Sequence, residues 1–438
     1  MKARLLPLYF KSGRNHEFDV QVDALRKLLE PVAEIMEPHR LGSALPAAHG
    51  AVLPQVLGDA YAHVREIKAL QIPLLAITSE FGTVSMWDWE IMRYLREQGV
   101  ETIGPYSLDQ ANVACRGLAA KHELRKSRFL VFQDNPGAGF QADIFKRFYW
   151  WENKCIRRMK TRFGVAVVKK SLAALGAAAK RVSDADAGVV IKGWRGKTPG
   201  VSAKSLRSAA KLYVALRHEL DRDPRIRAAG INCLNESRFS DTTPCLAWNL
   251  LFEELDLIWG CEADLLSMLT LFILYHSLQA PMIMSNLYPF LLGNAATTHE
   301  HIPTFPDVDE PENCILVAHC GYLGVVPQSF ATTWSLRPKV LEIVDDSATA
   351  IDARLPAGAV TLAKLGPGMQ DLHVVEGNLD RYVQFPGSHC LNGAVLKIRD
   401  GRRFMAELFS HHYILIVGHH LASLRMLAPV FGLRITEG

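Results

Sequence analysis

The sequence predicts an α/β protein in which two doubly wound parallel-sheet domains are followed by a C-terminal antiparallel, β-rich, barrel-like domain. Three observations predict it. Over roughly the first 300 residues, short apolar runs alternate with amphipathic stretches of helical period, as in βα units laid on a parallel sheet. The proline-rich, acidic run Ile302–Asn313 then has the composition of a linker. Beyond it, period-two alternation between Gly and Pro turns takes over, as in antiparallel strands.

A chain of 438 residues exceeds one ordinary core. At about 100 to 200 residues per domain, three domains are expected, at residues 1–164, 165–305 and 306–438. In the first, Leu5–Phe10, Ile72–Thr78, Glu101–Gly104 and Arg128–Gln133 read as strands, with helices such as Asp19–Glu37 and Leu108–Lys126 between them. In the second, the strands are Val165–Val168, Ala187–Lys192, Ile231–Leu234, Leu257–Trp259 and Met282–Met284, with helices around Ser205–Asp221 and Pro244–Glu254. In the third, Val360–Leu365, Asp371–Glu376 and His389–Ile398 are strands, closed by a helix over Leu421–Phe431. The Gly196–Gly200 stretch, GKTPG, lacks the full glycine and lysine spacing of a phosphate-binding P-loop and reads as a loop.

Composition removes several classes of function. A net charge of +4 from 49 basic and 45 acidic residues is a weak field without long like-charge blocks, so nucleic acid is not an expected partner. The basic cluster Lys154, Arg157, Arg158, Lys160 and Arg162 has the spacing of a solvated helix face. Leu265–Met284 has the length of a membrane span. It carries His276, Gln279 and Pro281, however, and opens behind Glu262 and Asp264, so a buried helix followed by a buried strand is expected, and no membrane partner. Eight scattered cysteines with no CxxC pair and no secretory leader read as reduced thiols of a cytoplasmic protein.

Candidate chemistry concentrates in the second half. Glu262 and Asp264 follow a short apolar strand and precede a helix, the position where ligands bind in open α/β sheets. Glu262 is the candidate ligand, and Asp264 is either a partner in the site or a helix cap; helix-dipole complementation accounts for both acids equally well. Downstream lie Asn286 after an apolar strand, His319 in ILVAHCG, and His411 with His412 in ELFSHHYILIVGHH. A carboxylate with neutral imidazoles suits Mn, Fe, Co or Zn, and an added amide oxygen leans toward a harder ion. His419 and His420 read as surface or helix-entry residues, and His299 and His301 have no evident partner.

Taken together and in order, TTPCLAWNLL, CEADLLSMLT, the strand before Asn286, ILVAHCG and HHYILIVGHH resemble the L-fucose and L-arabinose isomerase family over residues 231–438. The resemblance implies a Mn-type divalent ion that binds two oxygens of a sugar or sugar-like substrate, with Fe, Co or Zn as alternatives. Carried over, the first acid falls on Glu262, the C-terminal histidine ligand on His412, and an additional histidine ligand on His319. The second acid falls on Asn286, 24 residues after Glu262. The family moves a proton between C1 and C2 through an ene-diol using carboxylates. An amide binds metal but accepts no such proton, so Glu262 would work alone or with Asp264.

Two further departures concern the substrate pocket: Ser285-Asn286 replaces the family's Gly-Asp, and Leu391-Asn392 stands where Arg-Thr is expected. Asn392 and Asp264 are therefore candidate substrate contacts. Trp87 and Trp89 resemble the aromatic wall that a neighbouring subunit lends to the sugar, although core packing accounts for them equally well. The resemblance also implies a homo-oligomer, a trimer or hexamer. The expected function is a metal-dependent aldose–ketose isomerase. The alternatives are a lyase or epimerase on the same metal scaffold, and a sugar-binding protein without catalysis.

Overall fold

In the computed structural model, residues 1–10, 14–54, 58–77, 86–138, 147–290, 307–385, 388–389 and 391–438 are described, and they form a mixed α/β architecture of two parallel sheets and a closed antiparallel barrel. The chain divides into two compact units. One comprises Met1–Leu124, Ile273–Gln279 and Ala422–Ile435; the other comprises Arg125–Phe272, Ala280–Leu421 and Thr436–Gly438.

The first unit is built on strands β1 (Ala3–Tyr9), β2 (Ala33–Ile35), β3 (His39–Arg40), β4 (Gly50–Leu53), β5 (Leu74–Ala76) and β6 (Thr102–Ile103). They pair in parallel in the order β2-β1-β4-β5-β6, with β3 also on β1. The first helix, His16–Leu28, is capped by the Asn15 side chain, which accepts from the Phe18 N–H at 2.8 Å. It buries Phe18, Val22 and Leu25 on one face. It is shorter than the expected Asp19–Glu37 because Pro31 cannot continue it; the chain turns there, and Ala33 and Ile35 become the buried positions of β2.

The second unit opens with β7 (Arg128–Phe132), β8 (Ala166–Lys170), β9 (Ile226–Ile231) and β10 (Ile258–Cys261), all parallel in the order β10-β9-β7-β8. Arg128–Phe132, expected in the first domain, is an inner strand of this second sheet. Ala187–Lys192, expected as a strand, lies in the helix Asp184–Gly193. Ser183 caps that helix by accepting from the Asp186 N–H at 3.0 Å, and its Val189 is exposed, so the apolar run is not a core strand. The sheet strand near Ile231–Leu234 runs upstream, over Ile226–Ile231. The basic cluster rides on the helix Asn153–Phe163 as expected: Cys155, Met159 and Phe163 are buried, while Lys154, Arg157, Lys160 and Arg162 face solvent.

The rest of this unit is antiparallel. Its strands are β11 (Met282–Pro289), β12 (Cys314–Ala318), β13 (Thr333–Pro338), β14 (Thr349–Arg354), β15 (Gly358–Leu365), β16 (Asp371–Val383), β17 (Gly393–Ile398) and β18 (His412–Val417). β13 and β14 form a separate two-stranded ribbon. The other six close into a barrel in the order β15-β18-β11-β12-β17-β16, with β16 returning to β15, which leaves no free barrel edge. Met282–Met284, expected to end the second parallel sheet, thus begins a barrel strand between β18 and β12. Its register sets Asn286 opposite both His412 and Ala318, the residue before His319. The helix Leu265–Leu278 precedes it, as the sequence predicts, and no helix among the described residues is long and apolar enough to cross a membrane.

Candidate metal centre

Glu262 stands where β10 ends and the helix Leu265–Leu278 begins. It and Ala263 both hold left-handed backbone, φ 53° and 50°, a conformation that costs a residue with a Cβ about 1–2 kcal/mol. Three hydrogen bonds pin the turn. Ala263 N–H donates to the Ile231 carbonyl at 3.0 Å, Asp264 N–H to the Cys261 carbonyl at 3.0 Å, and the Trp151 indole N–H to the Glu262 carbonyl at 2.8 Å. The result fixes a buried carboxylate at the C-terminal end of the strand.

Asp264 does both things the sequence left open. Its Oδ1 accepts from the Ser267 N–H at 2.8 Å and caps the helix, while Oδ2 accepts from the Ser267 hydroxyl at 2.7 Å. The same Oδ2 lies 2.9 Å from His412 Nδ1 and 3.1 Å from Lys364 Nζ. Lys364 also donates to the Ser267 hydroxyl and sits 5.8 Å from the Trp150 ring centre. Asp264, Lys364 and His412 are fully buried, so each charge survives only through these partners.

Because the ionised Asp264 can only accept, His412 carries a proton on Nδ1, and its Nε2 faces Glu262 and presents a lone pair there once the second proton is lost. Nε2 lies 3.7 Å from Glu262 Oε1, close enough for attraction but too far for a hydrogen bond. His319 repeats the arrangement: its Nδ1 donates to Asn286 Oδ1 at 2.8 Å, leaving Nε2 free. Glu262 Oε2, His412 Nε2 and His319 Nε2 are all buried and accept no hydrogen bond from the described residues. Orphaned acceptors of this kind cost about 1–3 kcal/mol each when nothing fills the space between them. Half-buried His411 lies with its ring centre 4.1 Å from that of His412, packed against Phe148 and Trp150. Glu262, His411 and His412 present ligand atoms within 4.8 Å of one another. Free lone pairs on a carboxylate and on imidazoles anchored at their far nitrogens are the donor set a divalent ion requires.

The electrostatics leave Glu262 ionised and His319 and His411 neutral, and oppose the loss of the second His412 proton. Burial raises the Glu262 pKa, but His412, His411 and His319 more than offset it and bring it down to about 2. Burial likewise works against the Asp264 carboxylate, and Lys364, then His412 and Ser267, hold it well below its ordinary value. Burial and the neighbouring His412 lower His319 to about 4 and His411 to about 3, so both are neutral near pH 7. His412 goes the other way: burial lowers it, but Glu262 and Asp264 outweigh burial and raise it.

Asn286 joins the cluster as a support. Its Oδ1 engages His319 and its Nδ2 donates to the Tyr288 hydroxyl at 3.3 Å. Asn392 is buried, with Oδ1 accepting from the Phe385 N–H and Nδ2 donating to the Ser388 carbonyl at 3.3 Å, so its amide ties down the loop before β17. Trp89, in the other unit, is 38% exposed, with its ring centre 6.1 Å from that of Tyr106; the side chain of Trp87 lies outside the described residues, as do His299 and His301. Sequence reasoning grouped His411 with His412 among the candidate imidazoles but carried only His412 forward as a ligand, and it did not single out Lys364. The signal for Lys364 was present: a lysine at a buried position of the apolar strand VTLAKL. The aromatic run Phe148–Trp151 also walls the site: the Phe148 and Trp150 rings pack against His411, and Trp151 donates to the Glu262 carbonyl.

Compared with known proteins, the chain matches no protein-family model and no curated sequence.

Proposed function

We propose that this chain is a divalent-metal-dependent enzyme of the aldose–ketose isomerase type, acting on a sugar or sugar-like polyol through an ene-diol. The observation that carries the proposal is the Glu262–His411–His412 cluster, whose ligand atoms lie within 4.8 Å of one another, with the buried Glu262 Oε2 and His412 Nε2 making no hydrogen bond to the described residues and the His319 ring centre 5.5 Å from that of His412. Glu262, His412 and His411 hold the ion, with His319 as a further ligand. A donor set of imidazoles and one carboxylate suits Mn, Fe, Co or Zn. Such an ion, when bound, polarises the carbonyl and hydroxyl oxygens of the substrate.

The residues divide the remaining work. Glu262 is the one carboxylate of the cluster with an uncommitted oxygen, so it takes and returns the proton between C1 and C2. Asp264 is excluded from that step because both its oxygens are bound, and it instead fixes the His412 tautomer. Lys364 keeps Asp264 ionised. Asn286 orients His319, and Phe148 with Trp150 supplies the apolar wall that limits water.

The resemblance adds helices wound on both faces of the two parallel sheets, a cytoplasmic homo-oligomer, trimeric or hexameric, and Trp87 and Trp89 lent to a neighbour's sugar. Sizing the protein in solution tests the assembly. The test of function is NMR of aldoses and ketoses incubated in D2O with the Mn-loaded protein. Deuterium at C2 or a new ketose supports the ene-diol; an unchanged panel with the metal bound rejects it.

A second reading keeps the metal and changes the reaction to a lyase or epimerase step. It is favoured by Asn286, whose amide is spent on His319 and leaves a single free carboxylate. A substrate mass change in the same incubations selects a lyase over the isomerase. Ligand binding with no bound metal selects a sugar-binding protein.

A further inference from the structure

We propose that the GKTPG loop and the β13–β14 ribbon form a second binding site, one for a small phosphate ester, independent of the metal centre. The loop is more than a connection. Lys197 bridges in parallel to Ser335 of β13, and the Leu336 N–H donates to the Lys197 carbonyl at 2.8 Å, so the loop is laid along the ribbon. Between them lies a groove of about 640 Å³, within the range that holds small-molecule ligands.

Its charge is out of keeping with the rest of the molecule. The whole chain carries 49 basic against 45 acidic residues. The groove is lined by Arg195, Lys197, Arg337 and Arg354 against Asp352 alone. Arg337 Nε pairs with Asp352 Oδ2 at 3.5 Å. The other three cations have no carboxylate partner among the described residues: Arg195 donates to the Lys192 carbonyl, the Arg354 guanidinium lies 5.1 Å from the Tyr382 ring centre, and Lys197 forms no ion pair. Three like charges converging on one concavity repel one another, and a cleft focuses their field, so the arrangement is relieved by an anion.

The ligand class follows from the donors. Two guanidinium forks and an ammonium, Arg195 and Lys197 from the loop and Arg354 from β14, match the several oxygens of a dianionic phosphate better than the two of a carboxylate. Trp334 gives the groove an apolar surface for a carbon body; its ring is held by an indole N–H donating to the Val326 carbonyl at 2.8 Å and by edge contact with Trp194, ring centres 5.5 Å apart. None of the groove residues belongs to the metal cluster.

Calorimetric titration of the intact protein with glucose 6-phosphate, and with glucose as the uncharged control, tests the site. Saturable binding of the ester alone is expected. It should weaken at least tenfold in the double variant Lys197→Gln with Arg354→Gln, both exposed positions whose exchange leaves the core untouched, and persist in Glu262→Gln. Absence of saturable ester binding overturns the proposal, as does binding that the double variant leaves unchanged. Binding lost in Glu262→Gln also overturns it, since that places the phosphate at the metal centre.

Discussion

Two turns of the second unit deliver candidate histidine or carboxylate ligands in the same way and support them differently. After β10, Glu262 and Ala263 take left-handed backbone; after β12, Cys320 and Gly321 do so, at φ 49° and 90°. Each turn follows a fully buried strand and sets a polar group against the same cluster. The β10 turn is backed by charge, because Asp264, held by Lys364 and Ser267, fixes His412. The β12 turn is backed by a neutral amide, since Asn286 fixes His319. The consequence is opposite proton affinities: His412 is raised, and His319 falls to about 4. Charged support makes a strong ligand that must first lose a proton, whereas amide support makes a ligand already neutral.

That contrast can be broken at the ligands first. His412→Ala and Glu262→Gln should each lower Mn or Zn affinity by more than about a hundredfold, read by metal content after dialysis and by titration, because each removes a direct donor. Next is the support that differs. Asn286→Asp puts a carboxylate behind His319 and restores a second acid; if the ene-diol reading holds, deuterium incorporation at C2 should rise by about a hundredfold, the lower range of general acid–base catalysis. An unchanged rate would show that position 286 serves only to orient His319.

Lys364→Met removes the counter-charge of Asp264 and leaves a buried carboxylate half-paired. Denaturant unfolding should show a loss of about 3–5 kcal/mol. Metal affinity should fall about 10- to 100-fold, as when an outer support of a ligand is lost. His319→Asn should cost less, about tenfold in affinity, if His319 is the additional ligand. The smallest effect is one of pH. The raised pKa means that His412 holds its proton more tightly than a free imidazole, and the metal must displace it. Apparent affinity should therefore fall up to about tenfold per unit as pH drops below the His412 pKa, and level off above it. In His319→Asn this slope should persist, because His319 is already neutral at those pH values.

Much of this was legible in the residues. The break of Leu265–Met284 into helix and strand, the closing helix Leu421–Phe431 and the β-rich end of the chain follow from periodicity and from Gly and Pro signals. So does the placing of acids at a strand-to-helix turn. The Glu262, His319 and His412 set came from motif order, and the structure brings the three together. Asn286 also reaches the cluster, and the structure adds that its oxygen engages His319, because a sequence shows that an amide is present but not which neighbour claims its oxygen.

By itself, then, the sequence determined the local elements and the chemical types available, since propensity, capping and hydrophobic period act over a few residues. Which sheet a strand joins is a different matter. β7 exchanges the first sheet for the second, and β11 leaves the parallel sheets for the barrel, because pairing is decided by distant strands competing for the same buried edge. The core of the candidate metal centre is of this kind: Lys364 meets Asp264 across 100 residues of chain and His412 meets it across 148. Only the tertiary structure could decide that a lysine in an apolar strand is the counter-charge that sets one histidine, since burial makes an unpaired charge too costly and leaves that pairing as the stable solution.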